Sequence, residues 1–293
     1  MEPRNLRVGL VQSHLAGDVP EMLARTAGYV RKARARGAEL VCLQELFAAP
    51  YFCQVEDARY FSLAEELNGP TCTHMAKLAQ ECSITLVVPF FERRAAGLYH
   101  NSLVVFGPEG QRLGMYRKMH IPDDPQFEEK FYFTPGDLGF VNVPTPKVEL
   151  GTLICWDQWY PEAARLTALK GAELLVYPTA IGWLTEEKAE HGATQLSAWQ
   201  TLQRSHAIAN GVFVLAANRV GVETIEGKSI EFWGHSFVCD PTGTVLAQAG
   251  TGEEVLVVDC DLTLVEKSRQ VWPFFRDRRT DAYSGLTERW SKP

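Results

Sequence analysis

The 293-residue sequence predicts an α/β protein in which two sheets pack face to face with helices outside them, a four-layer α-β-β-α sandwich. Three observations carry that reading. Short apolar runs bounded by turn residues alternate with helical patterns. The order β-α-β-α-β-β occurs in the first half of the chain and again in the second. The runs are continuously apolar, so each sheet needs cover on both faces, and the helices of one half supply only part of it. The runner-up is a single doubly wound sheet with a later β extension.

The elements follow in order. RVGLVQ at 7–12 is the first strand. A helix over 20–36 sets Met22, Leu23, Ala27, Val30 and Ala33 on one face and stops at Gly37, a residue favoured just past a helix end. LVCL at 40–43 is the next strand, and a helix over 70–82 begins with Pro70 in its first turn. TLVVPFF at 85–91 and SLVVF at 102–106 complete the first half. The second half opens with LGTLI at 150–154; a helix from Pro161 points Ala163, Leu166 and Leu169 inward and stops at Gly171. LLVY at 174–177, a helix over 194–210 ended by Gly211, and the strands VFVLAA at 212–217, SFVC at 236–239 and EVLVVD at 254–259 finish the pattern.

Composition narrows the function. A net charge of −7 argues against binding a phosphate backbone, so nucleic acid is not an expected partner. No run approaches 18 apolar residues and the leading MEPRNLR has no apolar core, which predicts neither membrane span nor secretory signal and makes the cytoplasm the default compartment. The 7 cysteines are odd in number, scattered and without a C-x-x-C pair, as free thiols in a reducing compartment would be; neither disulfides nor a metal site is expected. No linker or low-complexity tract divides the chain, so one domain over 1–293 is the simpler organisation.

Chemistry concentrates in three places. Glu45 follows directly on the run at 40–43, and a carboxylate at the carboxyl end of a strand stands where open α/β folds bind ligands; the plain alternative is a solvated loop acid. The aromatic-rich connection YRKMHIPDDPQFEEKFYFTPGD at 116–137 contains Lys118 and Glu129, a cation and an acid of the kinds that stabilise an oxyanion and move protons, although Lys and Glu in loops are mostly solvated. Cys155, in LICWDQWYPEAAR, stands between an apolar strand and the helix that Pro161 begins, a junction that exposes a side chain; the six other cysteines read as small buried hydrophobes.

Taken together, Glu45, Lys118 in YRKMHIP and Cys155 in ICWDQWYPE resemble the Glu-Lys-Cys triad of the nitrilase superfamily of carbon–nitrogen hydrolases. VGLVQ, EKFYFTPGD, GAELLVYPTAIGW, AANRVG, FWGHSF and FRDRRTDAY extend the resemblance over nearly the whole chain and are similar to its N-carbamoylputrescine amidohydrolase branch. The resemblance implies the sandwich of the nitrilase type and a cysteine-dependent amidohydrolase that turns N-carbamoylputrescine into putrescine, carbon dioxide and ammonia in polyamine biosynthesis. Cys155 is then the nucleophile, Glu45 the general base, Lys118 the oxyanion partner with the backbone N–H of Trp156, and Glu129 a fourth, orienting residue. No cofactor is implied. The substrate is a small ureido compound whose tail ends in an ammonium, so one of the acids after AIGW, Glu186 or Glu187, with Glu186 put first, meets the amine, and Tyr51 lines the same pocket. A homo-oligomer is implied as well, built on the helices after the two catalytic elbows, with the tail over about 262–293 at the interface.

Competing readings remain. Hydrolases of N-carbamoyl-D-amino acids or ω-amides share the triad but bind a carboxylate, for which arginines are the natural partners; ICWDQWYPE and PTAIGW carry none before Arg165. A papain-like thiol hydrolase would use His206 or His235 as base, and a non-catalytic subunit would keep the fold alone. GHSFV at 234–238 lacks the second Gly of a serine-hydrolase elbow, and GTGEEV at 250–255 lacks the third Gly of a dinucleotide loop.

Overall fold

The computed structural model describes residues 4–15 and 17–290. The extreme ends of the 1–293 domain, of the MEPRNLR segment and of the expected interface tail lie outside the described residues. The strands of the first half are β1 (Asn5–Gln12), β2 (Leu40–Cys42), β3 (Thr85–Ala95), β4 (Leu98–Phe106) and β5 (Arg112–Arg117). Those of the second are β6 (Val141–Pro144), β7 (Glu149–Thr152), β8 (Leu174–Pro178), β9 (Gly182–Leu184), β10 (Phe213–Ala217), β11 (Val220–Ile225), β12 (Lys228–Trp233), β13 (Phe237–Cys239), β14 (Val245–Gln248) and β15 (Glu254–Asp261). Five helices accompany them: α1 (Val19–Ala35), α2 (Pro70–Cys82), α3 (Pro161–Leu169), α4 (Lys188–Asn210) and α5 (Thr263–Val271).

Two six-stranded sheets result, ordered β15-β1-β2-β3-β4-β5 and β6-β7-β8-β10-β13-β14, so the single doubly wound sheet is ruled out. The two orders match strand for strand. Each sheet has an antiparallel edge strand beside three parallel strands, followed by two antiparallel ones. The expected internal repeat is visible here as topology, with one departure: the edge strand beside β1 is supplied by the far end of the chain.

Alternation along the strands builds the layers. Val8, Leu10, Leu40, Cys42, Val87, Leu103 and Val105 point to the interior between the sheets, where they meet Leu150, Leu174, Val176 and Val214. Their neighbours Val11, Val41, Leu86, Val88 and Val104 point the other way, onto Leu23, Val30, Met75 and Leu78 of α1 and α2. Both faces are therefore apolar, which is why the runs read as continuous. α1 starts in a capping box, Asp18 accepting from the Glu21 N–H while the Glu21 carboxylate reaches back to the Asp18 N–H.

Several elements differ from expectation. β5, β6, β9, β11, β12, β14 and α5 are additional, and α4 starts at Lys188 rather than near 194. β11, β12 and β9 form a small third sheet over one end of the molecule. In α3 the buried face is Ala163, Ala164, Thr167 and Ala168, so Leu166 and Leu169 are turned to the surface instead of inward. Small residues let α3 lie close against the sheet, and that rotation leaves the leucines outside. No helix among the described residues is long and apolar enough to cross a membrane.

Candidate active site

The two strands that lead into the site end in strained turns. Beyond β2, Gln44 pins the chain to the end of β1 by accepting from the Ser13 N–H and donating to its carbonyl, both at 2.7 Å. Glu45 follows, and Leu46 turns the backbone with φ of 48°. Arg219, fully buried in AANRVG, closes this turn by donating to the carbonyls of Glu45, Leu46 and Ala49, while Glu223 holds its other side. An always-charged guanidinium with five fixed donors suits a cluster of carbonyls better than any other side chain.

Lys118 emerges directly after β5. Its Nζ donates to Glu45 Oε1 at 2.8 Å and to Glu129 Oε2 at 2.7 Å, and all three side chains are sealed from solvent. Glu129, at the start of a short 3₁₀ turn, also accepts from the Tyr51 hydroxyl at 2.7 Å. Asn101 of β4 donates to Glu45 Oε1 at 2.7 Å, and Glu45 Oε2 has no hydrogen-bond partner among the described residues. Burial works against the Lys118 ammonium, but the charges of Glu129 and Glu45 outweigh it and hold the amine well above its ordinary value. Burial and the charge of Glu45 raise the Glu129 carboxyl against the pull of Lys118.

Cys155 opens the 3₁₀ turn Cys155–Trp159 just beyond β7, with φ of 40°, a left-handed conformation costly for a side-chain-bearing residue. Asp157 stabilises it. The fully buried carboxylate accepts from the Ile154 N–H at 2.9 Å, the Tyr116 hydroxyl at 2.7 Å and the His120 N–H at 3.1 Å, and pairs with His120 Nδ1 at 2.7 Å. Gln158 is gripped in turn by Trp199 and Gln203, each at 2.8 Å. Burial, then the Glu45 charge, push the Cys155 thiol well above its usual value, with Lys118 opposing. An acid, Glu45, and an amine, Lys118, thus both act on the sulfur, and these are the kinds of group that can take a thiol proton and stabilise an oxyanion.

A cavity of about 560 Å³ opens onto Cys155, Trp156 and Glu129. Glu45 and Lys118, both fully buried, are not among its lining residues. Tyr51 does not line the cavity as expected; it is buried among aromatic rings and spends its hydroxyl on Glu129. Glu186 also departs from expectation, because it is exposed in the middle of the turn before α4 and does not line the cavity, whereas its neighbour Glu187 does. Asp124 stands on the cavity wall too, and no Lys or Arg does among the described residues. Among the described residues no cluster of three His, Cys, Asp or Glu side chains is arranged to hold a metal. His206 Nε2 is bonded to the Gln158 carbonyl at 2.7 Å and His235 Nδ1 meets Gln248 at 3.2 Å; neither lines the cavity, and the charged groups that act on Cys155 are Glu45, Lys118 and Glu129, so the papain-like reading lacks a base at the sulfur. Sequence reasoning missed Asn101, Arg219, Asp157 and Gln158; their one signal was polarity inside segments otherwise apolar or aromatic.

Comparison with known proteins agrees with this geometry. A family model described as carbon–nitrogen hydrolase matches residues 7–270. The chain is 43% identical over 289 residues to the N-carbamoylputrescine amidase of Arabidopsis thaliana, covering 97% of this chain and 95% of that one. It is 37% identical over 288 residues to the citrullinase of Francisella tularensis subsp. tularensis, with 98% and 99% covered. The crystal structure of a carbon–nitrogen hydrolase from Helicobacter pylori G27 is similar with a TM-score of 0.95 and 48% identity, covering 98% of this chain and 100% of the other.

Proposed function

This chain belongs to the carbon–nitrogen hydrolase family, and from that premise we propose that it hydrolyses N-carbamoylputrescine, with Cys155 as nucleophile and Glu45 as general base. The observation that carries the substrate is the cavity wall, where Asp124 and Glu187 present carboxylates and, among the described residues, no Lys or Arg stands against them, His191 being the one basic side chain there. A tail ending in an ammonium suits that wall. Relatives named for N-carbamoylputrescine and for citrulline both act on ureido compounds, which supports the ureido head.

The steps follow from the groups. Cys155 Sγ attacks the ureido carbon as Glu45 takes the thiol proton. The oxyanion that forms is held by the Lys118 ammonium and the backbone N–H of Trp156. Collapse breaks the bond to the terminal nitrogen, which takes the proton from Glu45 and leaves as ammonia. Water, deprotonated by Glu45, then attacks the thiocarbamate; the C–S bond breaks, Cys155 Sγ recovers the proton from Glu45, and the released carbamate loses carbon dioxide to leave the amine. Glu129, held by Tyr51 and Lys118, fixes the ammonium between the two acids.

Citrulline is the second reading, since the citrullinase relative covers almost the whole chain. Its tail would bring a carboxylate against Asp124 and Glu187. Ammonia release from N-carbamoylputrescine, citrulline, N-carbamoyl-D-amino acids and ω-amides separates these cases, with Cys155→Ser as a blank that releases none. The expected order puts the cationic ureide first in kcat/KM. Glu187→Gln should raise its KM roughly tenfold, as loss of a charge-assisted hydrogen bond does, while leaving a neutral alkylurea nearly unchanged. Preference for a carboxylate-bearing substrate overturns the assignment.

We further propose a homo-oligomer of one-domain chains in the cytoplasm. Leu166 and Leu169 on α3, Ile208 on α4 and Trp272 and Leu286 in the tail are exposed apolar residues that support the first, and the seven cysteines, all free and buried, support the second.

A further inference from the structure

Glu45 uses its two oxygens unequally. Oε1 accepts from Lys118 Nζ at 2.8 Å and from Asn101 Nδ2 at 2.7 Å, whereas Oε2, in a side chain with no solvent exposure, has no partner among the described residues. A buried carboxylate oxygen without a donor is costly, and Glu45 exerts the largest charge effect felt by the Cys155 thiol. Asn101 stands within β4, fully buried, and its carbonyl also accepts the Lys118 backbone N–H at 2.9 Å. Its own Oδ1 has no partner, so the side chain is bonded through its donor alone. An ionised carboxylate only accepts, which fixes the amide orientation.

One donor leaves a carboxylate free to pivot, because the last torsion of Glu is broad and roughly two-fold. Lys118 is a flexible point charge already shared with Glu129. We infer that Asn101 is a positioning residue which, with Lys118, pins Glu45 by Oε1 and reserves Oε2 as the oxygen that takes the Cys155 proton. The inference rests on the reading of Glu45 as the base for Cys155.

Four proteins test it: wild type, Asn101→Leu, Glu45→Gln and the double variant. Two readouts are taken, steady-state ammonia release and the rate of Cys155 alkylation by iodoacetamide across pH, the second needing no substrate assignment. Asn101→Leu should lower kcat roughly 10–100-fold, in the range of losses from a misplaced base. KM should change by less than about threefold, as for an interaction made in the transition state. Alkylation should slow, with its acid limb moved to higher pH. In the Glu45→Gln background the same substitution should cost less than about a further threefold, the coupling expected of residues acting through one another. Asn101→Ser, whose hydroxyl is too short to reach Glu45, gives the same pattern should leucine not fit. Wild-type alkylation in both Asn101 variants, or an equal loss with and without Glu45, overturns the inference. If Glu45→Gln itself alkylates like wild type, the underlying reading of the base fails and takes the inference with it.

Discussion

At Cys155, burial and then the Glu45 charge push the thiol upward, with Lys118 opposing, which favours the protonated form over a standing thiolate. A titration of ultraviolet thiolate absorbance, taken as the difference from Cys155→Ser, should stay flat below about pH 8; a step in the acid range would mean a preformed ion pair and a different mechanism. The residue types were legible in the sequence because Glu45 and Cys155 each interrupt an apolar run where a strand ends and Lys118 lies in a long aromatic connection. Asn101 was not, since its one signal, polarity beside SLVVF, does not tell a positioning side chain from a solvated one. Glu186 and Glu187 differ by one position in an irregular turn, where no periodicity decides which of the two faces inward.

The 3₁₀ turn Cys155–Trp159 is an element whose stability lies in one side chain. Asp157 satisfies donors from the turn, from Tyr116 and from His120, and with it gone the left-handed backbone at Cys155 loses its anchor. Asp157→Ala should cost about 2–4 kcal/mol of unfolding free energy, since it orphans several buried donors, and should lower kcat more than KM; urea unfolding beside steady-state kinetics checks both. An unaltered kcat in a destabilised protein would show that the turn holds without this anchor. Helices α1 and α2 were legible to within a residue or two because one apolar face and the closing Gly37 mark the first and an N1 proline marks the second. The hairpin of β11 and β12 was not. Its turn, Glu226-Gly227, has positive φ at both residues but lacks the Asn-Gly or Asp-Gly signal, and the alternation is scrambled in β11, where Val222 faces out and Glu223 is buried. The edge strands β6 and β14 are four residues each and only half-buried, too short to stand out as apolar runs.

At the scale of the molecule, the site is shared between the halves of the repeat: Glu45 and Lys118 follow strands of the first sheet and Cys155 a strand of the second, so packing the sheets together also assembles the chemistry. The sandwich itself was legible because strands apolar on both faces demand two layers of cover. The outward turn of α3 was not, since small and large apolar residues alternate around that helix and only packing distance selects between them. Exposed Leu166 and Leu169 bear on assembly. Sedimentation should show a species heavier than one chain, and Leu166→Glu with Leu169→Glu should shift it toward the single chain without changing the circular dichroism; a wild-type protein that sediments as one chain refutes the oligomer.

The pairing of β1 with β15 reaches across the whole polypeptide, from Asn5 to Asp261. A ribosome making roughly 5–20 residues per second needs on the order of ten to fifty seconds between those two segments. Throughout that interval β1 has an open edge on its β15 side, with free hydrogen-bonding groups of the kind that chaperones shield and that drive nascent-chain association. Misassembly during synthesis is therefore a hazard that the finished sheet, with that edge closed, no longer carries.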